Sequence, residues 1–158
     1  MALSLEDFFR EEFARLAARG AVMSGSVEVG QDAAQEAMAR AMDRWPAVSG
    51  HESPVAWVCR VMANLLVDRY RSSDAESTAW LRAPSPILVG EPLLDGWAEL
   101  IAPLPMRQRM VVTLFYGEDL SIDAIASMLD ISAGTVKSLL SKGRRTLSER
   151  LGEEARSV

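Results

Sequence analysis

Cysteine and histidine are almost absent from this chain, which has one of each, Cys59 and His51, in 158 residues. A lone cysteine forms no internal disulfide, so a reducing compartment, the cytoplasm, is the expected setting. The two residues fall on different expected elements and make neither a zinc site nor a nucleophile–base pair. No glycine-rich phosphate loop is found. Neither an enzyme nor a bound cofactor or metal is therefore expected. No apolar run approaches the roughly 20 residues of a membrane span. The opening residues MALSLEDFFREEFARL carry charges through their apolar positions, unlike a signal peptide. Strand alternation of useful length, internal repeats and low-complexity tracts are lacking too.

What is present is an ordinary globular composition, 49% apolar and 25% charged, with a net charge of −5. The sign of that charge speaks against nucleic acid, but its distribution does not. Two segments are basic, 53–71 at net +2 and 132–151 at net +4, and the segments around them are acidic. Two basic stripes in an acidic body suit DNA meeting two separate surfaces. The acidic remainder implies weak DNA binding by the chain alone, because affinity rests largely on phosphate neutralisation.

Proline and glycine divide the chain. The stretch Arg82-Ala-Pro-Ser-Pro-Ile-Leu-Val-Gly-Glu-Pro92 cannot hold a continuous helix. The reading is all-α: two small helical domains, 1–71 and 96–158, joined by a linker over 72–95. Trp80, Leu81, Ile87 and Leu88 make that linker apolar enough to pack on a domain or in a partner's groove. In the first domain, helical spacing places Leu5, Phe8, Phe9, Phe13 and Leu16 on one face of 5–19. It places Ala34, Ala37, Met38, Ala41 and Trp45 on one face of 31–45. Ser53 caps a helix that begins at Pro54 and runs to about Tyr70. In the second domain Pro105 starts a helix ending at Tyr116, Ser121 caps a short one, and Ser132 caps a long one with Val136, Leu140, Gly143 and Leu147 inside.

The last two helices and their tight turn read as a helix-turn-helix. The second presents Gly134, Lys137, Ser138, Ser141 and Arg145 on its outer side, with Lys142 beside them. Ser132 and Thr135 sit at its N-terminus, where free amides favour a phosphate. A solvated basic face or a partner-binding three-helix unit would show the same pattern. The helix from Pro54 is apolar almost all round yet keeps Arg60, Asn64, Asp68 and Arg71 in one stripe. That stripe suits either recognition of a base or mutual i, i+4 bonding that merely solubilises the helix.

These residues resemble a family. Asp32-Ala-Ala-Gln35-Glu36-Ala37, Trp45 and Ser53-Pro-Val-Ala-Trp57-Val-Cys-Arg60-Val-Met-Ala-Asn64-Leu-Leu-Val-Asp68-Arg69 look like region 2 of a sigma-70-type factor. Leu104-Pro105-Met-Arg107-Gln108-Arg109, Leu120-Ser121 through Ala126, and Ile131 through Ser138 resemble its region 4. With two domains and a short linker, the chain resembles an extracytoplasmic-function (ECF) sigma factor. The resemblance implies docking of Asp32, Gln35 and Glu36 on the coiled coil of the largest subunit of core RNA polymerase. It implies engagement of the −10 element by Arg60, Asn64, Asp68 and Arg71. Trp57 would separate strands or simply fill the core. The loop 47–53 would hold a flipped-out base, with His51 either bonding it or standing in solvent. Arg107 and Arg109 would touch −35 phosphates, while the helix from Ser132 reads the −35 groove. The polymerase flap, promoter DNA and, for many members, an anti-sigma factor are the implied partners, and no membrane is.

Two departures stand out. Ala124 replaces the acidic residue that would close a capping box with Ser121. Leu139 stands where an arginine commonly follows the Val-Lys-Ser segment, exchanging a phosphate contact for a hydrophobic one. The rival reading is a helix-turn-helix regulator that binds operator DNA without polymerase.

Overall fold

A computed structural model describes residues 3–72 and 100–156, and every regular element among them is helical. The linker expected over 72–95 therefore lies almost wholly outside the described residues.

Helix α1 spans Leu5–Ser24 and α2 spans Val27–Asp43. They are joined by Gly25, at φ 79°, and Ser26, whose hydroxyl accepts from Val29 N. A left-handed residue at this position costs glycine least, which is why the chain can reverse in two residues. The expected starts and ends were short: α1 runs on from 19 to Ser24, and α2 begins four residues ahead of 31. Alanines lie all along the contact (Ala17, Ala18, Ala21, Ala33, Ala34, Ala37, Ala41), so the two backbones approach closely. Phe8 and Leu16 are buried, but Phe9, assigned to the same face, is 44% exposed and stacks on Phe13. Phe8 and Phe9 point about 100° apart on a helix, and only Phe8 faces inward.

Trp45 opens a short separate helix, α3 (Trp45–Ser49), and does not extend α2. Its ring packs on Phe8 with centroids 5.4 Å apart. Helix α4 spans Pro54–Ser72, with Ser53 Oγ accepting from Ala56 N at its start. Its inner side, Val58, Cys59, Met62, Ala63, Leu66 and Val67, closes the first core.

In the second half, α5 spans Met106–Val112 and passes into a π-helical turn over Thr113–Gly117. The expected straight helix to Tyr116 is thus widened in its last turn, where Glu118 N bonds Thr113 O at 3.2 Å. Then come α6 (Ile122–Leu129) and α7 (Ala133–Arg156). Ser121 Oγ accepts from Ala124 N and Ser132 Oγ from Thr135 N, as their capping roles require. Asp130, at φ 57°, makes the turn between α6 and α7. Val136, Leu140 and Gly143 are buried, and α7 packs against α5 and α6. The buried residues of both halves form one contiguous apolar cluster.

Candidate nucleic-acid interface

Three surfaces gather the residues singled out in the sequence. On α2, Asp32, Gln35 and Glu36 are exposed, while Ala33, Ala34, Ala37 and Met38 beneath them are buried. Glu36 pairs with Arg40 one turn on, at 3.2 Å. Beside them Leu5, Phe9, Met38 and Met42 line an apolar groove that Gln35 borders, and Met42 is 57% exposed.

On α4, Arg60, Asn64, Asp68 and Arg71 are all exposed along one side. Among the described residues no ion pair links Arg60 or Arg71 to Asp68, and Arg71 instead pairs with Asp130 at 3.3 Å. His51, Ala56, Trp57, Arg60, Val61 and Asn64 enclose a recess of about 230 Å³. His51 is held there by its own loop, since Nδ1 accepts from Ser53 N at 3.1 Å. Nδ1 also lies 3.1 Å from the Ser53 carbonyl oxygen, so both backbone groups of Ser53 hold that edge of the ring. Trp57 is half-buried, with one part in the wall of the recess and the rest against the core cluster.

On α7, Ser132, Gly134, Lys137, Ser138, Ser141, Lys142 and Arg145 are exposed, and Thr135 is partly covered. The Ser132 and Thr135 hydroxyls are 2.8 Å apart at the helix start. Arg107, at the start of α5, is also exposed and donates to the Tyr70 hydroxyl at 3.1 Å.

Arg109 is a correction. It was expected to touch phosphate, but it is 2% exposed. Its guanidinium donates inward to the carbonyls of Leu104 (3.3 Å), Ala102 (3.4 Å) and Met23 (3.5 Å). Burial lowers its pKa to about 10, and the carbonyl dipoles satisfy its donors. Arg107 and Arg109, two residues apart on a helix, point about 200° apart, so they cannot both face DNA.

Arg144 was not singled out. It lies over Phe115 and Tyr116, 5.6 Å from each ring centroid, and donates to the Tyr116 hydroxyl at 2.6 Å. Its Tyr116 partner lies 28 positions earlier in sequence, so no local pattern signals that pairing.

Among the described residues no group of three His, Cys, Asp or Glu could hold a metal ion, and no helix is long and apolar enough to cross a membrane.

The geometry of two helical units, one ending in a helix-turn-helix, agrees with what sequence comparison finds. Residues 9–76 match the model of sigma-70 region 2, and residues 95–147 match that of sigma-70 region 4. The ECF RNA polymerase sigma factor SigW of Bacillus subtilis is 29% identical, over 92% of this chain and 86% of its own length. The RNA polymerase sigma-E factor of Streptomyces coelicolor is 31% identical, over 77% of this chain and 71% of its own. The ECF RNA polymerase sigma factor SigM of Mycobacterium tuberculosis is 27% identical, over 94% of this chain and 78% of its own. Sigma factors are non-enzymatic DNA-recognition subunits of RNA polymerase. With both regions matched in order, and relatives covered over most of their length, the chain belongs to the sigma-70 family as an extracytoplasmic-function (ECF) RNA polymerase sigma factor.

Proposed function

We propose that this chain binds core RNA polymerase through α2, holds −35 duplex with the second domain, and captures melted −10 bases with the first. The observation that carries the reading is the recess on α4. It is lined by His51, Ala56, Trp57, Arg60, Val61 and Asn64, and it lies along the exposed Arg/Asn/Asp stripe of a helix whose inner side is buried. A base taken from the stack needs a hydrophobic wall and hydrogen-bonding groups for its edge, because unstacking costs a few kcal/mol. Trp57 and Val61 supply the wall, and His51, Arg60 and Asn64 supply the groups.

Asp32, Gln35 and Glu36 are the docking face, an exposed polar row on a helix whose other side is locked into the core. In the second domain Arg107 meets a −35 phosphate. Ser132 and Thr135 bind backbone at the helix start, and Lys137, Ser138, Ser141, Lys142 and Arg145 face the groove. Arg109 is left out of that set and serves the packing of α5. The two working units are 1–71 and 96–158, joined by 72–95, and the site of action is the cell interior.

The test is equilibrium binding of the purified chain to bacterial core RNA polymerase, with genomic DNA fragments alongside. Selective DNA capture is expected only when core is present. Selective capture by the chain alone, with no affinity for core, would make it a stand-alone regulator and remove the docking face from α2. Within the same assay, Asp32→Ala combined with Gln35→Ala should weaken core binding and leave the circular dichroism spectrum unchanged.

A further inference from the structure

A helix that reads a groove must be held at one rotation about its own axis, and the inner stripe of α7 does not set that rotation alone. Val136, Leu140, Gly143 and Leu147 fall within an arc of about 60°, and Gly143 adds no side chain to it. A Cβ at Gly143 would lie 2.8 Å from Val112 Cγ2, so α7 rests there directly on the end of α5. A narrow, smooth line of contact resists tilting but lets a helix roll. Side chains end about 5–6 Å from the axis, so a roll of about 20° carries their tips about 2 Å. Recognition geometry tolerates about 0.5 Å.

Two residues grip α7 from its flanks. At about 100° per residue, Leu139 and Arg144 stand about 70° to either side of the inner stripe. Leu139 is half-buried, beside Met110, Leu129, Ile131 and Tyr70 around a void of about 30 Å³. Arg144 is held on the other flank by the π-helical turn. Its guanidinium carbon is 5.6 Å from the ring centroids of both Phe115 and Tyr116, and its Nε donates to the Tyr116 hydroxyl at 2.6 Å. The two rings meet edge to face, 4.9 Å apart. A π turn holds more residues than an α turn, so consecutive side chains diverge less and both rings reach one cation.

We propose that Arg144 is a positioning residue, which fixes the rotation of α7 and with it the sequence specificity of −35 recognition, without touching DNA. The inference rests on the −35 reading above. Base-edge bonds are lost when the helix rolls, whereas long charged side chains still find phosphates. Loss of the grip therefore costs discrimination and leaves non-specific binding as it was.

The test compares Arg144→Ala and Arg144→Lys with the wild type, each as the full chain. Residual dipolar couplings, measured without DNA, should place α5 and α7 of the wild type in one frame. In R144A those of α7 should shrink relative to α5, with helicity retained by circular dichroism. With core polymerase present, preference for the genomic fragments that the wild type captures, over mixed-sequence duplex, should fall about ten-fold. The salt slope on mixed-sequence duplex should not change. R144K keeps the charge but not the planar stack, so it should fall between the other two; should R144A lose its fold, R144K carries both expectations. Unchanged couplings, or R144K indistinguishable from the wild type, would overturn the proposal. A salt slope shallower by about 0.9 would do so too, by making Arg144 a phosphate contact. A wild type that shows no preference even with core, while the α7 couplings of R144A shrink, would instead sink the sigma reading and leave the grip on α7 standing.

Discussion

Gly30→Ala offers a sharp test of the packing that presents α2. A Cβ at Gly30 would fall 2.2 Å from Ala21 N, 2.6 Å from Ala21 Cα and 2.7 Å from the Gly20 carbonyl carbon. All three are backbone atoms, so no side chain can swing away. Relief requires α1 and α2 to separate by about 1 Å, against van der Waals contacts of about 3.5 Å. The alanine rows that now touch across the helices would lose those contacts together. Overpacking of this kind costs about 1–3 kcal/mol, and a backbone clash belongs at the upper end. Alanine's better helix propensity returns about 1 kcal/mol. The net loss is about 2 kcal/mol, or roughly 4–8 °C in melting temperature for 158 residues sharing one core. Thermal unfolding followed by circular dichroism measures it, with Gly50→Ala as the control. At Gly50 the nearest atom to an added Cβ is Pro46 O at 3.4 Å, so that variant should melt with the wild type. If G30A also melts within about 1 °C of the wild type, the close approach of the two helices is wrong. Because α2 carries Asp32, Gln35 and Glu36, G30A should also weaken core binding more than its residual folded fraction explains.

Arg109→Met should cost about 2–4 kcal/mol in urea unfolding, since it strips donors from three carbonyls in the buried junction of α1 and α5. Among molecules that remain folded, the salt slope of duplex binding should be unchanged; a slope shallower by about one would return Arg109 to a phosphate. Lys137→Ala should weaken binding to −35 duplex, and an unaltered affinity would take Lys137 out of the groove. Gly134→Ala meets nothing closer than Ser132 Oγ at 3.9 Å, so it should hold or raise stability; reduced −35 duplex affinity in the same protein would show that DNA needs the space. Burial raises the pKa of Glu118 above its ordinary 4.5, with Arg19, Cys59 and Arg60 facing it and pulling the other way. Between 4.5 and that raised value the native state binds more protons than the unfolded chain, so stability falls as pH rises through this window. Urea midpoints should therefore decline there for the wild type and stay flatter in Glu118→Gln, and parallel profiles would contradict the buried placement.

The sequence alone determined the helical class, the caps at Ser53, Ser121 and Ser132, and the inner stripe of α7. Each follows from local spacing or from one side chain bonding an amide three residues on. It also determined which polar residues of α2 and α7 face outward, because an alanine or aliphatic row on one side of a helix leaves only the other for charge. Helix ends were less legible. The reversal at Gly25-Ser26 depends on a left-handed residue and on how closely two alanine rows can nest, and Trp45 opens a new helix because Pro46 suits a first turn and cannot continue α2. Only the tertiary structure decided the fate of Arg107 and Arg109. Both are arginines in one short basic stretch, yet one stands in solvent and the other spends its donors on carbonyls of α1 and the turn before α5. The same holds for Glu118 and Leu139, which look like surface residues until Arg19 and Tyr70 arrive from the other domain. Burial of a charge, and the pairing that makes it tolerable, depend on residues far apart in the chain, and no local pattern encodes them.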